Sequence, residues 1–316
     1  KIWKEMPLYR MWLRKIYRQQ NDQKYIKLLN RIRHGKVTSH DVQLLRSKII
    51  KRMPADVLEL DEDNCAKIIP PLLTTHRVKV ENFNTKRLND VSQQQQEPLR
   101  LFAPKIKVKR DGFGDASEEM NLESKFPIYN VRLCKNAQVM MRCNALMESG
   151  ICNGTLGIID KITDKKIYVR FRVDGVLQPP INVPRYRFVL KINHGDIYME
   201  QYPLSIAYAV TIHKSQGLTL DTAIVDIRKV FANSMVYVAL SRVCSLDGLQ
   251  LLGNFDTRTF KSNQEALDFE KDGQMTALVS GCTRNVKQPK ECALHNVMET
   301  SYIADRNIFG IIKEFL

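Results

Sequence analysis

Two short stretches concentrate residue types suited to handling phosphate. In the first, the apolar run from Leu204 to Ile212 opens into Thr211-Ile212-His213-Lys214-Ser215-Gln216-Gly217. Hydroxyl, imidazole, ammonium and amide donors grouped at the end of a buried strand suit phosphate oxygens, and the glycine lets backbone approach closely. Open α/β sheets bind their ligands at such strand ends. In the second stretch, Val236-Tyr237-Val238-Ala239-Leu240-Ser241-Arg242-Val243, apolar Val236, Leu240 and Val243 share one helical face. Arg242 leaves on another face near the helix C-terminus. A guanidinium anchored in this way can meet charge spread over the oxygens of a transferring γ-phosphate. A surface salt bridge is the plainer alternative for an isolated arginine.

These residues need a scaffold, and the pattern of apolar positions outlines one. Tyr25, Leu28, Leu29 and Ile32 follow helical spacing in a segment ending at Gly35. Thr38 and Asp41 have the spacing of a capping box for a second helix with Val42, Leu45 and Ile49 on one side. Ile68-Ile69-Pro70-Pro71-Leu72-Leu73 predicts a buried strand entered through prolines. Residues 91–123, with Gln93 to Gln96, a basic run from Lys105 to Arg110, Gly112 and Gly114, predict a long surface loop. Short alternating segments punctuated by Asn153-Gly154 and Gly157 predict a small β-barrel between Gly150 and Asp196. The runs 204–212, 222–226 and 248–252 predict strands of a parallel sheet, with a helix capped by Asn233-Ser234 between the last two. Beyond Phe260 the signals are weak.

Composition narrows the chemistry. The 316 residues carry 49 Lys and Arg against 34 Asp and Glu, a formal charge of +15 that favours polyanions. Seven cysteines without paired short spacings fit a reducing compartment and no disulfide framework. Cys282, Cys292 and His295 lack the CxxC partner a zinc site needs, so no metal site is expected from them. No apolar run approaches the ~18 residues of a membrane span, and the start has neither initiator Met nor a signal-type segment.

The strings TIHKSQGLTLD from Thr211 and YVALSRV from Tyr237, in that order and separation, closely resemble motifs V and VI of Pif-type and RecD-like superfamily 1 helicases. Tyr17-Arg18-Gln19 resembles the arginine-bearing motif IV, followed by LLNRIRHG from Leu28. LLTTHRVKVENFNTKRL from Leu72 is similar to a strand-and-helix segment near the DNA. NAQVMMRCN from Asn136 and NGTLGII from Asn153 resemble the passage into a small SH3-like insertion. The resemblance covers roughly residues 1–260. Asn136 stands where the family often has glycine, and Asn233-Ser234 replaces a common glycine near the start of the motif VI helix.

The resemblance implies an α/β fold: a RecA-like parallel sheet flanked by helices, with an inserted all-β SH3-like barrel. It places a second RecA-like lobe in 1–148 and 198–260, the insertion in 149–197 and a tail in 261–316. Arg18 and Arg242 would contact a γ-phosphate, and Gln216 and Gly217 would link nucleotide to DNA. Thr75, Thr211, His213 and Lys214 would contact single-strand backbone. The activity implied is ATP-driven 5′→3′ unwinding, with single-stranded and fork DNA as partners, in an intracellular setting (nucleus or mitochondrion, or a viral host cell).

A phosphate-binding loop, G-x-x-x-x-G-K-[ST], is missing. His34-Gly35-Lys36-Val37-Thr38 lacks the first glycine and lies between helices. ATP and Mg2+ would therefore be held mainly by an N-terminal RecA-like lobe missing from this chain. A non-catalytic single-strand-binding module and an inert transposon or viral relic are the alternatives.

Overall fold

The computed structural model describes residues 16–274, apart from 54–58, 63–64, 111–125, 127, 193–194, 229, 231–233 and 257–258. Two compact units divide the chain, residues 13–267 and a second drawn from 1–12 and 268–316. The latter lies almost wholly outside the described residues, as do Cys282, Cys292 and His295.

The first unit is built on a five-stranded, all-parallel sheet. Its strands are β1 (Ile49–Ile50), β2 (Leu72–Thr74), β14 (Ala209–Thr211), β15 (Ala223–Asp226) and β16 (Leu249–Leu252), ordered β1-β16-β15-β2-β14. Alternating side chains go to opposite faces, as strand geometry requires. Leu73, Val210, Val225 and Leu251 enter one core with helices α1 (Gln23–Arg33), α2 (Ser39–Ser47) and α4 (Met235–Leu240). Leu72, Ala209, Ile224 and Leu252 form a smaller core beneath helix α3 (Arg77–Gln95), which contributes Val80 and Phe83. This is the expected α/β layering. It also leaves the ends of β2 and β14, with Thr74 beside Thr211, at one edge.

Local signals hold at the first two helices. Asp22 caps α1 by accepting the Tyr25 amide at 2.8 Å, and Thr38 with Asp41 makes the reciprocal capping box of α2. Ile49 leaves the α2 pattern, because the helix ends at Ser47 and Ile49 opens β1. Asn84 of α3 closes the free edge of β14, accepting the Ala209 amide at 2.7 Å and donating to its carbonyl at 2.9 Å.

Residues 91–123 are not one loop where they are described. Residues 91–95 are the last turn of α3, which stops at Gln96 with φ +52. Strands β3 (Arg100–Phe102) and β4 (Lys105–Arg110) follow. Glutamine is an adequate helix former, and Lys105-Ile106-Lys107-Val108 alternates as a strand does. That alternation is easily mistaken for a plain basic run. The remainder, 111–123, lies outside the described residues.

The strands between 150 and 196 divide between two antiparallel sheets. Strand β3 pairs separately with β5 (Val131–Leu133). The larger sheet contains β6 (Gln138–Met141), β7 (Leu156–Ile162), β8 (Ile167–Val173), β10 (Ile181–Val183) and β13 (Leu204–Ile206), ordered β10-β8-β7-β6-β13, with β9 (Val176–Leu177) added to β8. The smaller runs β11 (Tyr186–Ile192), β12 (Gly195–Gln201), β4. Two strands of the larger sheet, β6 and β13, lie outside the expected 150–196 window. Among the described residues β10 and β13 do not pair to close a barrel. The apolar run 204–212, read as one strand, serves both bodies. It pairs as β13 with β6, then turns at Ala207-Tyr208 and joins the parallel sheet as β14.

Gln138 secures that turn. Fully buried, it accepts the Ile69 amide at 2.8 Å and donates to the Ile69 and Ala207 carbonyls, each at 3.0 Å. Asn136 and Ser234 take left-handed backbone angles, φ +64 and +62, which glycine adopts most readily. Asn136 offsets the strain by accepting the Ala66 amide at 3.0 Å. Ser234 does not cap α4 as expected; its hydroxyl accepts the Asn263 amide at 3.1 Å.

Replacing Gln138 by Met keeps its volume but leaves three buried backbone groups unpaired, at about 1–3 kcal/mol each. Denaturant unfolding of Gln138→Met is expected to show a loss of about 3 kcal/mol or more, and a loss well below 1 kcal/mol would count against the clamp.

Candidate functional site

The segment carrying Arg18 is tied to the end of α4 by a run of hydrogen bonds. Gln19, 4% exposed, donates to the Ser241 and Val243 carbonyls at 3.0 and 2.8 Å. The Tyr25 hydroxyl donates to the Leu240 carbonyl at 2.7 Å, and Asp22 accepts the Leu246 amide at 2.9 Å. The bonds from Gln19 and Tyr25 satisfy carbonyls left open at and just beyond the end of a short helix. Gln19 and the Tyr25 hydroxyl carry no phosphate chemistry. In the sequence they showed only as the neighbour of Arg18 and an apolar helix position.

Arg18 and Arg242 come together on one cleft of about 290 Å³, lined also by Tyr17, Asn30, Tyr237 and Ser241. Arg18 donates to the Thr219 hydroxyl at 3.0 Å and the Ser241 carbonyl at 3.1 Å. Arg242 donates to the Val238 carbonyl and the Ser241 hydroxyl, both at 2.9 Å. All four acceptors are neutral. Among the described residues neither guanidinium forms an ion pair, which removes the plain salt-bridge reading there. Burial lowers the proton affinity of both, and for Arg242 the neighbouring Arg18 charge adds to this, bringing it down to about 10. Both stay charged at neutral pH. Two like charges partly withdrawn from water and facing one cleft favour an anion with several oxygens.

The other expected residues gather at the ends of β2 and β14. Ile212 donates its amide to the Thr74 carbonyl at 2.9 Å, so the two strand ends stay paired up to their exits. Thr211 is 7% exposed, and its hydroxyl accepts the Lys214 amide at 3.2 Å. The hydroxyl therefore holds the turn rather than standing free. His213 and Lys214 are exposed, and Gln216 is half-buried. Gly217 has φ +83 with open space around it. Ser215, fully buried, donates to the Ile212 carbonyl at 2.7 Å. Thr75, 9% exposed, has a hydroxyl with no partner among the described residues.

One short path joins the two groups. Past Gly217 the chain reaches Thr219, which receives Arg18, and Leu220, whose amide donates to the Arg242 carbonyl at 3.0 Å. Lys214 and Arg242 are thus linked through a single hydrogen-bonded turn.

No family model matches the chain. It is 31% identical over 260 residues to the ATP-dependent DNA helicase PIF1 of Xenopus laevis, covering 80% of this chain and 36% of that protein. The chain belongs to the Pif1-type helicase family. This Pif1-type chain also superposes on the Pif1 helicase of Candida albicans with a TM-score of 0.63 at 26% identity, covering 85% of this chain and 62% of that one. Against Bacteroides Pif1 in complex with ADP-AlF3 and single-stranded DNA the TM-score is 0.54 at 28% identity, covering 83% and 56%. The chain spans less than two thirds of the length of the relatives it matches, 36% in the Xenopus case.

Asp226 ends β15 near this edge, 3% exposed. Arg228 clasps it with two bonds of 2.9 Å, and Lys79 of α3 donates at 2.5 Å. Burial pushes the carboxyl up, but Arg228 and Lys79 outweigh it and hold it at about 2, below the ordinary 3.8. A depressed folded-state value stabilises the fold above the unfolded value and loses that contribution as pH falls through the folded one. The shift corresponds to about 2 kcal/mol. Asp226→Asn is expected to lose that much at neutral pH and to flatten the fall in stability between pH ~4 and ~2. An unchanged acid limb in pH-dependent unfolding would contradict this.

Proposed function

We propose that this chain is the second motor lobe of an ATP-dependent DNA helicase. In this reading Arg18 and Arg242 reach the γ-phosphate of an ATP held chiefly by another RecA-like lobe, outside these 316 residues. The observation that carries it is the pair of half-buried guanidinium groups on one cleft without a carboxylate partner among the described residues. The planar fork of each supplies donors where charge accumulates on equatorial oxygens. Magnesium bound with the nucleotide would neutralise negative charge on the phosphates. Its carboxylate ligands, like the G-x-x-x-x-G-K-[ST] loop, belong in this reading to the other lobe.

Thr75, His213 and Lys214 then face the backbone of a single strand, with Thr211 holding the Lys214 amide. Gln216 and Gly217 lie on the turn that joins this surface to the cleft, so closure around the nucleotide shifts the strand contacts. Such contacts are independent of base identity and weaken with salt. The larger antiparallel sheet is read as the family's SH3-like insertion. Movement 5′→3′ and action at forks follow the family resemblance.

The isolated chain is expected to show no DNA-stimulated ATP turnover. Joined to a lobe carrying the phosphate-binding loop it should hydrolyse ATP, and Arg242→Ala should lower that rate by about 10³-fold or more. Robust turnover by the isolated chain, abolished by Arg242→Ala, would overturn the shared-site reading.

A further inference from the structure

Arg142 lies just beyond β6, outside every motif assigned above to phosphate chemistry. Its backbone is anchored, the amide donating to the Pro203 carbonyl at 2.8 Å. Its guanidinium is half-buried and, among the described residues, meets only a weak acceptor, the Met140 Sδ at 3.8 Å. Met140 belongs to the same core as Ile212 and Leu218, at the two ends of the Lys214 turn. The turn before β7 packs there too. At Gly154, φ +104, a Cβ would stand 2.6 Å from a Leu218 methyl, so this position admits only glycine without displacement. The region around Arg142 is therefore pressed directly against the turn that presents Lys214.

The surroundings are positive. Burial, then Arg142 and then Arg77, lower the proton affinity of Lys214, and burial lowers that of Arg142. The acidic group in range, Glu81, is engaged by Arg77 at 2.6 Å. Among the described residues neither Arg142 nor Lys214 forms an ion pair. Helix α3 begins here as well. Its cap, His76, makes no side-chain hydrogen bond to the first turn, so the positive end of a 19-residue helix is open. One residue earlier stands Thr75, with its buried and unpartnered hydroxyl.

We propose that Arg142, with Lys214 and Thr75 at the head of α3, forms a binding site for one backbone phosphate of a single nucleic-acid strand. This rests on the strand-facing reading above and extends it to the antiparallel body. The body thereby touches the strand at the same phosphate as the motor lobe. A hydroxyl, an ammonium, a guanidinium and helix amides together match the acceptors of one phosphodiester.

The test is binding of a labelled oligodeoxythymidylate to the 316-residue chain by fluorescence anisotropy, between about 50 and about 200 mM salt. Arg142→Met is expected to weaken binding about 5-fold or more at the low-salt end. It should also reduce the slope of log K against log salt by about 0.7, the value for one lost phosphate contact on a single strand. Arg142→Lys should keep the slope, which a purely structural role would not require. Lys214→Met serves as the reference. If it lowers the slope while Arg142→Met leaves slope and affinity unchanged, the proposal fails and the strand-facing reading stands. If the unaltered chain does not bind the oligonucleotide, both fall.

Discussion

The structure depends on keeping two positive charges close together and partly out of water. Arg18 and Arg242 repel each other, and burial makes each harder to keep charged. Neither is compensated by a carboxylate among the described residues. Such an arrangement persists only where the surrounding backbone is over-determined. Here the determination comes from Gln19, Tyr25 and Asp22, which hold residues 17–25 against the last turn of α4 and the segment beyond it. The parallel sheet places β15 and β16 on either side of that helix in the chain, and its core holds Val236, Leu240 and Val243 from below. The cost is met by packing elsewhere, and both positive charges stay on the cleft.

A second constraint concerns how the antiparallel body joins this lobe. One apolar run leaves β13, turns at Ala207-Tyr208 and becomes β14, the strand that ends in Thr211. Gln138 bonds to the backbone just before β2 and at the turn itself, so both strands that reach the candidate DNA surface are positioned by a side chain of the other sheet. The connection from Gln138 to Thr211 thus runs through hydrogen bonds at Ile69 and Ala207 and along the paired strands β2 and β14.

Much of this was legible in the sequence where one physical signal dominated. Helical spacing around Tyr25 and Leu28, the Thr38–Asp41 capping box and the apolar strands at 222–226 and 248–252 took their expected places, because local propensity and burial agree there. The pairing of Arg18 with Arg242 on one cleft came from motif resemblance, since the 223 positions between them give no local hint. The segment after Val91 hides its structure because its glutamines and alternating lysines look polar, while the partners of its strands, β12 and β5, lie far along the chain. Gln138 and Gln19 were invisible as clamps, since a buried glutamine carries no periodic signature. Asn136 and the pair Asn233-Ser234 stood out as departures from glycine, and the positive φ angles at Asn136 and Ser234 supply the reason.

The most direct test of the central claim is the thermal unfolding of the chain and of Arg242→Met, each with and without inorganic pyrophosphate. If the two arginines form an unfilled anion site, the variant is at least as stable as the parent without added anion. Pyrophosphate then raises the parent's Tm and leaves the variant's unchanged. A variant that melts several degrees lower without anion, with pyrophosphate shifting both proteins alike, would mean that Arg242 is a structural residue and the cleft no phosphate site.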